Sequence, residues 1–140
     1  TEGGLDVLAH QDRLADVIAD LQERDVQVSL FVDPVEEQIE AAARLEADCI
    51  ELHTGEYANA DSEKARHRTL SALSDGARTA YNLGLRVHAG HGLDYRNYPA
   101  FRENVPHVQE VSIGFAVVAR SVMSGMEEAV REMRRVVKGY

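Results

Sequence analysis

An α/β fold built around a parallel sheet is predicted by three features of this 140-residue sequence. Short apolar, β-branched runs alternate regularly with longer runs whose apolar residues recur at helical spacing. Turn and cap residues such as Asp33-Pro34, Gly84 and Gly114 punctuate the changes from one kind of run to the other. Titratable side chains gather where the apolar runs end, with Glu51 and His53 closing one run and His91 following another, each beside a glycine loop. In a repeating β/α chain, strand ends feed such groups to one rim, and glycines let a ligand approach the backbone.

The elements follow in order. Leu8 to Arg24 reads as a helix, with Leu14, Val17, Ile18 and Leu21 on one face. Val26 to Val32 reads as a strand ending at Asp33-Pro34, where Asp33 suits a helix N-cap and Pro34 the first helical position. Glu36 to Leu45 follows as a helix with Ile39, Ala42 and Ala43 on its apolar side, and Asp48 to His53 as the next strand. A loop from Thr54 to Asp61 is expected to lead into a long helix, Ser62 to Leu83, stopped by Gly84. Leu85 to Gly90 reads as the third strand, then a loop with a short helix near Tyr98 to Asn104. Val108 to Ile113 reads as the fourth strand, Phe115 to Val122 as a short helix opened by Gly114, and Met126 to Val137 as the last helix, with Ser124 as its cap.

The sum is one helix followed by four β/α units. Four strands cannot close a barrel that needs eight, so the chain reads either as a small open α/β sheet or as half of a (β/α)₈ barrel. The unpaired leading helix and the absence of a starting Met favour the half-barrel, with that helix belonging to a strand upstream of Thr1. Residues 1–140 are expected to form a single domain without an internal linker.

A net charge of −9 argues against nucleic acid or an anionic membrane surface as partner, since both require basic protein surface. It leaves room for a small anionic substrate held by backbone amides. One cysteine, Cys49, rules out an intrachain disulfide and suits a reducing cytoplasm; its apolar strand makes it a core residue rather than a nucleophile. No apolar run is long enough to span a bilayer, and Thr1-Glu2-Gly3-Gly4 does not resemble a signal peptide.

Alternation along a strand places Glu51 and His53 on one face. A carboxylate between Ile50 and Leu52 either stabilises a cationic or proton-transferring intermediate or makes a structural bond to the neighbouring strand. His53 either joins the site or bonds the backbone of the loop it begins. His88 and His91, three apart, would point to opposite faces of a continuing strand, so one of them is expected in the site. His91, between Gly90 and Gly92, suits general acid work near neutral pH. In Ser112-Ile113-Gly114-Phe115 a glycine meets a helix N-terminus, which suits either a phosphate or a tight turn. Asp94 to Tyr98 is read as a solvated loop rather than a lid.

Together these segments resemble the pyridoxine 5′-phosphate synthase family, (β/α)₈-barrel enzymes of vitamin B6 biosynthesis, over their C-terminal half. The resemblance is carried by Thr1-Glu2-Gly3-Gly4-Leu5-Asp6-Val7, Val28-Ser29-Leu30-Phe31-Val32-Asp33, Ile50-Glu51-Leu52-His53-Thr54-Gly55, Ala89-Gly90-His91-Gly92-Leu93 and Ser112-Ile113-Gly114. It implies condensation of 1-deoxy-D-xylulose 5-phosphate with 3-amino-2-oxopropyl phosphate, without metal or organic cofactor, in a cytoplasmic homo-oligomer. By position it implies Glu51 as transition-state stabiliser and His91 as proton donor. Gly92, Gly114 and Phe115 then contact the aminoacetone phosphate, and Thr1 falls at a loop contact for the other substrate. Phe115 replaces a histidine usual in the family and His88 replaces an asparagine. The family's first half supplies a histidine and a glutamate as proton acceptors, and arginines for the deoxyxylulose phosphate, so the 140 residues carry part of the site. The competing readings are a metal-dependent phosphosugar epimerase or aldolase, with Glu51, His53 and His91 as ligands, and a non-catalytic half-barrel that assembles with a partner.

Overall fold

A computed structural model describes residues 3–140. Thr1, and with it the expected substrate contact there, lies outside the described residues. Four strands form one parallel sheet in the order of the chain: β1 (Ser29–Val32), β2 (Cys49–His53), β3 (Arg86–Gly90) and β4 (Val108–Ser112). The helices are α1 (Gln11–Gln22), α2 (Glu36–Arg44), α3 (Gly55–Ala58), α4 (Glu63–Asn82), α5 (Tyr98–Asn104), α6 (Phe115–Ser124) and α7 (Met126–Lys138).

The strand order decides between the two folds left open by the sequence. A doubly wound sheet reverses its strand order and places helices on both faces. Here the order runs β1-β2-β3-β4 without reversal. Successive right-handed crossovers in one direction put every connecting helix on the same side, as in an arc of a barrel. Burial agrees. Leu30, Val32, Ile50, Leu52, Val87 and Ala89 face the helices and are buried. Phe31, Glu51, His53 and His88 alternate with them and are half-buried, while Glu110 and Ser112 are exposed. The arc does not close, and β1 and β4 form its two edges.

The core lies between the sheet and the helices. Ile39, Ala41 and Ala42 of α2 and Leu73, Ala77 and Ala80 of α4 are buried in it, joined by Ile18 and Phe101. The small alanines let α2 and α4 approach each other and the sheet closely. Ser62 caps α4 by accepting the Ala65 N–H at 3.2 Å, and Gly84 follows its end at φ +84°, as expected.

Several local expectations change. The first helix divides into a 3₁₀ turn, Leu8–His10, and α1. The expected loop after β2 contains the short helix α3, in which Tyr57 is buried. Asp33 does not cap α2, whose N-cap is Val35; its carboxylate turns to other partners described below. Ser124 does not cap α7 either: Gly125 holds that position, and the Ser124 hydroxyl donates back to Arg120 O at 3.2 Å. In each case a partner distant in sequence, or the preceding helix, offers the side chain a better bond than the local cap.

Asp48 pins the entry of the sheet. Its carboxylate accepts the Val28 N–H at 2.7 Å and the Gln22 Nε2–H at 3.1 Å, while the Val28 carbonyl accepts the Asp48 and Cys49 N–H groups. These donors, the Val28 amide foremost, hold the Asp48 carboxyl below the usual carboxylate range. Its stabilising contribution is therefore complete above an ordinary Asp pKa of about 4 and is lost as pH falls through the lower folded value. Replacing Asp48 with Ala is expected to lower unfolding free energy by about 1–2 kcal/mol at neutral pH, with the difference from the parent shrinking in acid. Urea unfolding at neutral and acid pH measures both effects; equal differences at the two pH values would contradict this.

Candidate active site

The site forms at the C-terminal ends of β2, β3 and β4, on the face that the helices leave open. Register places Glu51 of β2 opposite His88 of β3, and His53 opposite Gly90. On the far side of β3, Gly90 pairs with Ser112. An irregularity between Val87 and His88 skips Gln109 in the β3–β4 pairing, so that Glu110 and Ser112 fall beside His88 and Gly90.

The Glu51 carboxylate crosses β3 to reach β4, where the Ser112 hydroxyl donates to its Oε2 at 3.1 Å. Glycine at position 90 makes this crossing possible. A β-carbon there would overlap Glu51 Oε1 and stand 3.0 Å from Ser112 Cβ. The bond expected to a neighbouring strand is thus made one strand further on, to β4, with one oxygen and through a single neutral donor on the open face.

His91 follows β3 with φ +81°, a left-handed conformation unusual for a residue with a side chain, and Gly92 continues it at φ +77°. This turn corrects the expectation that His88 and His91 face opposite sides. The His91 ring returns to the Glu51 face, where it lies 4.8 Å from the His53 ring and 6.5 Å from Phe31, while His88 holds its register position lower on the same face. Thr54, fully buried, holds the turn. Its N–H donates to Gly90 O at 2.9 Å, and its hydroxyl is shared between Gly90 O at 2.7 Å and His91 O at 2.5 Å.

His53 does not bond the loop it begins. Its Nδ1 meets Asp33 Oδ1 at 2.8 Å, and the same oxygen accepts the Gly4 N–H at 3.2 Å. Glu51, His53 and His91 do not gather as a metal cluster. Among the described residues no group of three or more His, Cys, Asp or Glu side chains is placed to hold a metal ion.

Beside His91 opens a cleft of about 620 Å³ between the β3–α5 loop and the start of α6, lined in part by Gly92, Arg96, Asn97, Phe115, Ala116 and Arg120. It brings together Gly92 and Phe115, two of the expected binding residues. Gly114 stands at the N-cap of α6 without a side-chain cap, so the amides of the first helical turn face outward. The Phe115 side chain is 90% exposed.

The Asp94–Tyr98 segment, expected to be a solvated loop, is built. Asp94 Oδ1 accepts the Arg96 and Asn97 N–H groups at 2.7 and 2.8 Å, and Asn97 Nδ2 donates to Gly92 O at 3.0 Å. The Tyr95 hydroxyl reaches Ala129 O at 2.8 Å, and the Tyr57 hydroxyl reaches Asn97 O at 2.6 Å. Burial pushes both phenols above their usual range. The Asp-x-x-Asn spacing was the available signal for this turn. Arg96, which the sequence did not single out, makes no ion pair among the described residues, whereas Arg120 is occupied by Glu132 through bonds of 2.8 and 3.1 Å.

Comparisons with known proteins identify the family. Residues 1–139 match the model of a family described as pyridoxal phosphate biosynthesis protein PdxJ. A protein of Salinibacter ruber named pyridoxine 5′-phosphate synthase is 58% identical over 98% of this chain. Proteins of the same name from Trichodesmium erythraeum and Magnetococcus marinus are 48% and 49% identical over 99% of it. The chain spans little more than half of their length, 57%, 58% and 56% in turn. A parallel β/α arc, an acid and two imidazoles at neighbouring strand ends and a match along 139 residues lead to one conclusion: the chain belongs to the PdxJ family.

Proposed function

We propose that this chain supplies half of the active site of a pyridoxine 5′-phosphate synthase. The substrates are 1-deoxy-D-xylulose 5-phosphate and 3-amino-2-oxopropyl phosphate, and the products are pyridoxine 5′-phosphate, phosphate and water. The observation that carries this reading is the placement of Glu51 on β2 and of His91 just past the adjacent strand β3, followed by Gly92, which shares a cleft with Phe115. One group can stabilise positive charge as it develops, and the other can deliver a proton to a leaving oxygen.

The phosphate of the aminoacetone substrate is assigned to the start of α6. Free amides after Gly114 and the positive end of the helix dipole favour an anion there. Phe115 contributes its backbone amide; its exposed ring cannot replace the imidazole that the family usually carries. Arg96 lines the same cleft and offers a cation to that phosphate, in a chain whose net charge is −9. The groups that accept protons and hold the deoxyxylulose phosphate are assigned to a part of the barrel outside these 140 residues. The reading extends to a cytoplasmic homo-oligomer that works without metal or organic cofactor.

The test is formation of pyridoxine 5′-phosphate from the two phosphates, assayed with these 140 residues alone and joined to the N-terminal portion its relatives carry. Activity only in the joined protein is expected; no product from a folded joined protein would overturn the reading. In that protein His91→Asn should lower kcat about 100-fold or more with folding retained, and a loss below about tenfold would remove His91 from the acid role. Glu51→Gln keeps the shape, removes the charge and should cost a similar factor. Gly90→Ala leaves both reactive groups in place chemically but displaces the Glu51 carboxylate, so kcat should fall at least about tenfold.

A further inference from the structure

The proposed chemistry leaves one pair unused, a buried imidazole on a half-exposed carboxylate. Asp33, just past β1, and His53, the last residue of β2, meet at 2.8 Å through Oδ1 and Nδ1. A carboxylate accepts at this distance, so Nδ1 carries the proton and Nε2 is the bare nitrogen of the neutral ring. The His53 side chain is only 9% exposed, and its Nε2 is buried with no hydrogen-bond partner among the described residues. A buried polar atom left unpaired costs free energy, so the position of this ring has a reason other than its own bonding.

The ring's neighbours supply that reason. Phe31 meets it edge-on at 5.0 Å and 72°, and His91 meets it at 4.8 Å and 68°. Gly55 provides a common seat: a β-carbon there would stand 2.6 Å from His53 Nε2 and 3.1 Å from His91 Cδ2. The orphan nitrogen therefore lies against Gly55, which the His91 ring also approaches. Asp33 is itself anchored by the Gly4 N–H at 3.2 Å.

We propose that Asp33 and His53 are positioning residues for His91: Asp33 locks the orientation and tautomer of His53, and the His53 ring, seated on Gly55, holds the His91 imidazole in place. This rests on the role given to His91 above, but its first test does not. Imidazole ¹⁵N resonances of the 140-residue chain, recorded at about pH 9 where an ordinary imidazole is neutral, report tautomer and ring environment without substrate. The expected result is His53 in the Nδ1–H form, with the His91 ring signals displaced in His53→Asn and in Asp33→Ala. Asparagine at 53 retains a donor for Asp33 and removes only the ring. Asp33→Asn keeps an acceptor and should restore most of the parent His91 spectrum. A His53 proton on Nε2, or unchanged His91 signals in folded His53→Asn and Asp33→Ala, would overturn the proposal whatever the reaction is. In the joined, active protein His53→Asn should lower kcat by about 10- to 100-fold while KM changes far less. A loss confined to KM would also overturn it.

Discussion

Thr54 closes the seam between β2 and β3, with its N–H and its hydroxyl both directed to the Gly90 carbonyl and the hydroxyl shared with the His91 carbonyl. A slip of one residue would turn each strand's face over, putting Glu51 among the alanines of α2 and α4 and Leu52 on the open side. The same contact fixes the left-handed turn at His91, since a carbonyl held on one side constrains the peptide that follows. The charge at Glu51, the ring of His91 and the cleft beyond Gly92 all stand where the β2–β3 register sets them.

Two glycines then act as space rather than as hinges. Gly90 leaves room for a carboxylate to cross a strand, and Gly55 leaves room for two imidazoles to stack edge to face. At both, an added methyl would run into the side chains already there. The acid and the base-type groups are thereby held by backbone and by close packing more than by ion pairs.

Much of the fold was legible in the chain. The period of the apolar residues gave four strands and the main helices within a few residues, because burial against one layer writes itself locally as spacing. Gly84 marked a helix end because a left-handed residue was needed there. The misread positions share one cause. Asp33 and Ser124 carry the residue types that cap helices, yet each found a different partner. Asp94 to Tyr98 looked solvated, yet its polar groups bond one another and the chain around them. Polar side chains satisfy themselves wherever the fold offers a partner, and composition alone does not name that partner.

The sequence by itself determined which residues stand at strand ends, which face of each strand is apolar, and the family to which those motifs point. It placed Glu51 and His91 near one rim and a glycine before α6. Only the tertiary structure decided what these groups touch. Glu51 meets Ser112 across 61 residues of sequence, and His53 meets Asp33 across 20. The return of His91 to the face of His88 depends on a backbone angle that no periodicity encodes. Local pattern reflects which side of an element is dry; pairing register and cross-strand contact are settled only when distant segments pack together.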